Sequence, residues 1–256
     1  MSPRSPSRSL SLSFLILFGL SCVLVGQSYD DWTAEDVISR IETVNGGEEA
    51  IKEVKNVRVQ GEVLSDDRAY DFVLLKKRPN KVRIQLHYRM GSITTGFDGE
   101  EAWRRLRQRE RTRVEELDAS EFAKQSLETD FDGPLIGPVR EGVDRKFVGV
   151  ERIDRVDYLV MEVHYGDSFT RHFIDPRTFR ELKMNKFVEE DGEFTEVASA
   201  LYKDYERFGP FWLATRIERK LASGVREILR IESVELNTAI LDRAFEKPSE
   251  DGLLGG

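Results

Sequence analysis

One cysteine, Cys22, is present in 256 residues, so no disulfide can form within the chain and the fold must be held by its core. That cysteine sits in an N-terminal apolar run, which removes it as a catalytic nucleophile. The Gly-x-Ser-x-Gly pattern of a serine hydrolase is absent, and so is the Gly-x-x-x-x-Gly-Lys phosphate loop. Positive charge is in deficit: 39 Lys and Arg face 47 Asp and Glu, a net charge of −8. A nucleic-acid partner needs a basic face against phosphate and is therefore not expected. Histidine is scarce, with only His87, His164 and His172. The apolar run from Leu10 to Val25 is short of the about 20 residues that a bilayer-spanning helix needs.

What that run does have is the arrangement of an export signal. Arg4 and Arg8 precede it, and small residues and then Asp30 and Asp31 follow it. Residues 1–28 are therefore expected to be an export signal, with an uncleaved anchor as the alternative. Gly26-Gln27-Ser28 offers one cleavage site. Gly19-Leu20-Ser21 ahead of Cys22 offers another, which resembles a lipoprotein signal, although Gly19 stands where Leu is usual. Cys22 is thus a lipidation candidate. Removing residues 1–28 takes away two Arg and no acid, leaving 37 basic against 47 acidic residues, a charge of −10.

Residues 29–248 read as one domain. Thr33 with Asp36 forms a capping box, and Ala34, Val37, Ile38, Ile41 and Val44 follow at helical spacing. Asn45-Gly46-Gly47 stops that helix, and a short helical turn over Glu48–Lys55 follows. The period then changes from 3.6 to 2. Val57, Val59, Gly61 and Val63 alternate with polar residues, as do Val82, Ile84, Leu86 and Tyr88. Tyr70–Leu75, Ile93–Phe97 and the region of Trp103 continue the rhythm. A second helix is expected over Asp118–Leu127, and Asp130–Asp144, rich in Asp, Gly and Pro, reads as a loop. Strand signals resume at Phe147–Val150, Val156–His164, Phe169–Ile174, Phe179–Val188, Phe194–Tyr205, Trp212–Arg219 and Arg226–Val234. Ser249–Gly256 is expected to be a disordered tail. The fold class is mainly β (α+β): a single curved antiparallel sheet of about ten to twelve strands, covered by two or three helices. Such a sheet can enclose more volume than its own side chains fill.

Each candidate site has a structural explanation beside its functional one. A two-residue hairpin at Gly166-Asp167 sets Tyr165 opposite Ser168, His164 opposite Phe169, Glu162 opposite Arg171 and Met161 opposite His172. His164 and His172 then fall on opposite faces and cannot share a metal ion, so no metal site is expected. The acidic groups Glu48-Glu49 and Glu189-Glu190-Asp191 read as solvated turns and helix faces. Arg104, Arg105, Arg107, Arg109, Arg111 and Arg113 place six guanidinium groups in ten residues. This is either a solvated edge hairpin or a docking patch for an anionic partner, with Arg105, Arg107 and Arg109 as its candidates. Val82, Ile84, Leu86, Tyr88, Phe97 and Trp103 are either plain core or the lining of a ligand cavity.

Several short elements recur in a recognisable order. They are Gly46-Gly47 after the first helix, Lys77-Arg78-Pro79-Asn80-Lys81 before a strand, and Asp98-Gly99 with Ala102-Trp103. Ile174-Asp175-Pro176, Gly209-Pro210 before Trp212, Leu236-Asn237 and Phe245 ahead of Pro248 complete the set. In this order they resemble the outer-membrane lipoprotein-sorting, LolA/LolB-like superfamily of bacterial periplasmic proteins, over nearly all of residues 33–248. The resemblance implies an incomplete antiparallel β-barrel closed by helices, with a hydrophobic cavity for lipid or lipoprotein acyl chains, and neither enzyme activity nor cofactor. It implies a monomer in the periplasm of a Gram-negative-type bacterium, soluble or anchored through Cys22. A broader branch of the group implies an alternative: an envelope stress-sensing module that docks on a membrane-associated protein.

Overall fold

A computed structural model describes residues 28–65, 68–125 and 129–248. Residues 1–27, which hold Cys22 and nearly all of the expected export signal, and the expected tail at 249–256 lie outside the described residues. The first helix, α1 (Ala34–Val44), opens with the expected capping box: the Asp36 amide donates to Thr33 Oγ1 at 3.3 Å, and the Thr33 amide donates to Asp36 Oδ2 at 2.9 Å. Gly46 and Gly47 follow with φ of 91° and 85°, a region that a residue with a Cβ enters only at a cost. They turn the chain into α2 (Gly47–Glu53).

The remainder is one antiparallel sheet of thirteen strands among the described residues. In chain order these are β1 (Asn56–Ser65), β2 (Arg68–Lys77), β3 (Lys81–Tyr88), β4 (Gly91–Phe97), β5 (Ala102–Gln108) and β6 (Arg111–Leu117). After α3 (Ala119–Gln125) come β7 (Val143–Ile153), β8 (Val156–Tyr165), β9 (Ser168–Ile174), β10 (Glu181–Glu190), β11 (Glu193–Phe208), β12 (Phe211–Leu221) and β13 (Arg226–Leu236). The spatial order is β6-β5-β4-β3-β2-β1-β13-β12-β11-β10-β9-β8-β7. Two meanders therefore meet at a central β1–β13 seam, with β6 and β7 as the free edges. The sheet curves without closing, as an incomplete barrel.

The count exceeds the expected ten to twelve because β6 (Arg-Thr-Arg-Val-Glu-Glu-Leu) carries almost no apolar alternation. Phe179, expected to open a strand, does not. It lies in a turn at φ 51°, its amide donating to Asp175 O at 2.8 Å, and β10 begins only at Glu181. At the Gly166 hairpin the register is the expected one, including Glu162 opposite Arg171 and Met161 opposite His172.

Alternation assigns the faces. On the helix-covered face, α1 buries Ala34, Val37 and Ile41 against Leu159, Met161, Val163 and Ile174. In the other half of the sheet, α3 brings Phe122 over Val82, Phe97 and Ala102. The opposite face is crossed by the chain after β13. Lys77 Nζ donates to Ile240 O at 2.9 Å, Arg83 Nη1 to Ala244 O at 3.2 Å, and Trp103 Nε1 to Phe245 O at 2.8 Å. Lys77 also pairs with Asp242 at 2.6 Å. Trp103 and Phe245 are 1 % and 0 % exposed. The indole lies flat on Gly96, where a Cβ would come within 2.4 Å of the ring.

Candidate ligand cavity

A cavity of about 310 Å³ opens on the helix-covered face, at the small end of the roughly 300–1,000 Å³ typical of ligand sites. Its floor is sheet: Val57 and Val59 of β1, Leu74 and Lys76 of β2, and Leu236 of β13. Its roof is the end of α1, at Ile41, Val44 and Asn45, together with Phe131–Ile136 of the connection between β6 and β7. These positions follow from local rules. Alternation sends Val57, Val59 and Leu74 to one face, and the α1 capping box starts the helix so that its Ile41 stripe faces the sheet.

The roof segment is fastened from several sides. The Arg78 guanidinium holds Asp132 through two bonds, of 2.7 and 2.5 Å, donates to the Val54 and Ile51 carbonyls, and lies 4.2 Å from the Phe131 ring. Lys76 Nζ donates to Asp130 O at 2.6 Å. Arg145 donates to the Gly137 and Ile136 carbonyls, and the Gly137 amide donates to Glu42 of α1 at 3.1 Å. Burial pushes the Asp130 carboxyl up, against the opposing pull of Arg140, Lys76 and Arg145. Burial also lowers the Arg145 guanidinium.

One wall of the cavity is polar and aromatic. Arg180 stacks 3.6 Å from the Trp212 ring and 5.6 Å from that of Tyr205. Tyr205 donates to Glu181 O at 2.6 Å, and burial, then the Glu181 charge, push its phenol upward. The Glu181 carboxylate meets His172 Nδ1 at 2.6 Å, and the other imidazole nitrogen meets Thr170 Oγ1 at 2.8 Å. His172 is thus a buried, doubly bonded side chain.

The six apolar residues singled out in the sequence do not line this cavity. Val82 and Phe97 are packed beneath α3, with Ile84 beside them. Leu86 and Tyr88 line a second cavity of about 390 Å³, with Val63, Tyr70 and Ile93. The two cavities flank a shared stripe of apolar residues, including Val59, Phe72 and Leu74. Trp103 stands on the other face of the sheet, because Phe97 pairs with Ala102 and so sets Trp103 opposite Gly96. The arginine stretch is the β5–β6 edge hairpin. Arg107 and Arg109 are exposed there. Arg105 is half-buried, near Arg83, whose guanidinium is lowered by burial and then by the Arg105 charge. The lining residues absent from the sequence reading are those of the roof, with Arg180 and Trp212. Phe131, Leu135 and Ile136, set among glycines and prolines, were the available signal.

Solved structures give the comparison. A LolA superfamily protein from Nitrosomonas europaea superposes with a TM-score of 0.57 at 15% identity, covering 84% of this chain and 98% of that one. A DUF1329 family protein from Desulfovibrio piger gives 0.58 at 11%, covering 83% and 95%. The fold is LolA-like. A third structure, titled as an outer membrane lipoprotein-sorting protein domain from Vibrio parahaemolyticus, gives 0.57 at 12%, covering 83% and 97%. No protein-family model matches the sequence, and no curated protein matches it. The LolA-like likeness thus rests on backbone architecture.

Proposed function

We propose that this LolA-like protein is a non-catalytic carrier of the bacterial cell envelope that holds lipid or lipoprotein acyl chains. The observation that carries the reading is the apolar cavity of about 310 Å³ between the sheet, α1 and the fastened roof. An alkyl chain gains about 0.8 kcal/mol for each methylene it buries, so such a space binds without polar chemistry. The expected export signal and the acidic charge fit a periplasmic setting, soluble or anchored at Cys22.

The test is native mass spectrometry and lipid extraction of the protein purified from an expressing bacterium, with uptake of a fluorescent fatty-acid probe. Co-purifying amphiphile and probe uptake are expected. Val44→Trp, which fills the cavity from the helix side, is expected to lower uptake at least tenfold. A protein that carries no amphiphile and ignores the probe is not a lipid carrier. The exposed arginines of the β5–β6 hairpin favour a second reading, a docking surface for an anionic membrane-associated partner. Replacing the exposed Arg107 and Arg109 with Ser would then abolish partner capture without loss of thermal stability, and adding the half-buried Arg105→Ser would weaken it no further.

A further inference from the structure

We infer that the cavity takes a single-chain amphiphile with an anionic head, a carboxylate or phosphate monoester, and that Arg180 receives that head. This rests on the proposed carrier role, which specifies alkyl chains but no headgroup. Three other arginines each hold a carboxylate: Arg78 of the β2–β3 turn with Asp132, Arg171 of β9 with Glu162, and Arg219 of β12 with Glu227. Arg180 lines the cavity, pairs with no carboxylate among the described residues, and lies against the Trp212 and Tyr205 rings. The two acids beside it in the lining are already engaged. Glu181 is bound to His172 at 2.6 Å, and Asp132 is held by Arg78.

The Arg180 side chain is half-buried, and a planar two-oxygen anion satisfies a guanidinium through parallel hydrogen bonds. Stacking on Trp212 at 3.6 Å fixes the plane of the fork and leaves its N–H edge for an in-plane acceptor. Arg207, 5.9 Å from the same ring, adds positive potential there. The apolar floor at Val57 and Leu74 then takes the tail. A volume near the lower limit of ligand pockets suits one chain better than two.

The experiment is calorimetric titration of the purified protein with dodecanoate, dodecyl phosphate and dodecanol, repeated on Arg180→Gln and Arg180→Lys. The wild type is expected to bind at least one of the two anions about ten- to a hundredfold more tightly than the alcohol. Arg180→Gln is expected to erase that preference by weakening the anions about ten- to a hundredfold, with dodecanol changing far less, and far-ultraviolet circular dichroism shows whether the variant is folded. Arg180→Lys is expected to retain part of it, having the charge without the fork. The tighter of the two anions identifies the head as carboxylate or phosphate. Equal affinity for acid, phosphate and alcohol in the wild type, or a preference that survives Arg180→Gln, overturns the assignment while the carrier role stands. Failure of all three ligands to bind overturns the carrier role and the assignment together.

Discussion

Phe245 is 0 % exposed although it lies close to the end of the described chain, and its carbonyl accepts from the Trp103 indole at 2.8 Å. Phe245→Ala removes a fully buried ring from a site that cannot easily collapse, because the Trp103 indole is already flat against Gly96. The expected cost of such a change is about 3–5 kcal/mol. Against a total stability of roughly 5–15 kcal/mol, that is a large fraction. With a urea slope of about 2–3 kcal/mol/M, the unfolding midpoint should fall by about 1–2 M. The assay is equilibrium urea unfolding followed by far-ultraviolet circular dichroism, with indole emission as a second probe. Trp103 emission reports on the segment directly, because its indole donates to the Phe245 carbonyl. Gly96→Ala attacks the same seat from below, so the double variant should cost less than the sum of the singles. A loss below about 1 kcal/mol for Phe245→Ala, against the range for buried aromatics, would refute the claim that this segment is packed as part of the core.

Three further outcomes follow from side-chain environments. Tyr165 has a buried hydroxyl with no partner among the described residues, and burial pushes its phenol up to about 12. Tyr165→Phe should therefore be neutral or stabilising by about 1 kcal/mol in thermal unfolding, and a clear loss would reveal a hidden bond. Burial alone would raise the Glu162 carboxyl, but Arg171 and His164 hold it below its ordinary 4.5. Its folded value is depressed, so its contribution is present above pH 4.5 and is lost as pH falls through the folded value. Glu162→Gln should cost about 1–3 kcal/mol at pH 7, and the gap to wild type should close on acidification; a gap that widens reverses the sign of the argument. Arg78→Met should free the cavity roof, with faster amide exchange over residues 129–137 while β8 and β9 remain protected. Unchanged exchange there would show that Arg78 does not fasten the roof.

Much of the architecture was legible because each signal is local. The capping box at Thr33, the glycine stop at Gly46 and the register at Gly166 each depend on a few adjacent residues, and all three are observed. The LolA-like topology was legible from the order of its turns. The cavity was harder to read. Alternation places Val82, Leu86 and Phe97 on one face, but it does not say which part of that face is covered by α3 and which is left hollow. Trp103 is core on the other face, because the tight turn at Asp98 sets Ala102, and not Trp103, opposite Phe97. The roof lacks any period, since Phe131–Ile136 is held by Arg78 and Arg145 from elsewhere in the chain. Arg180 gave no signal for a related reason: its place in the cavity wall, against Trp212 and away from any carboxylate among the described residues, is set by three-dimensional packing.

The β1–β13 seam has a kinetic consequence. Each meander is a series of neighbouring hairpins that can zip as soon as its own residues are available. The seam pairs Val59 with Val234 and must wait for nearly the whole polypeptide. Closing so long a loop is entropically slow, which makes joining the two halves the expected bottleneck of folding. Until then the unpaired rims of β1 and β13 stand open to solvent, so a protecting chaperone should act there, before the last strand docks.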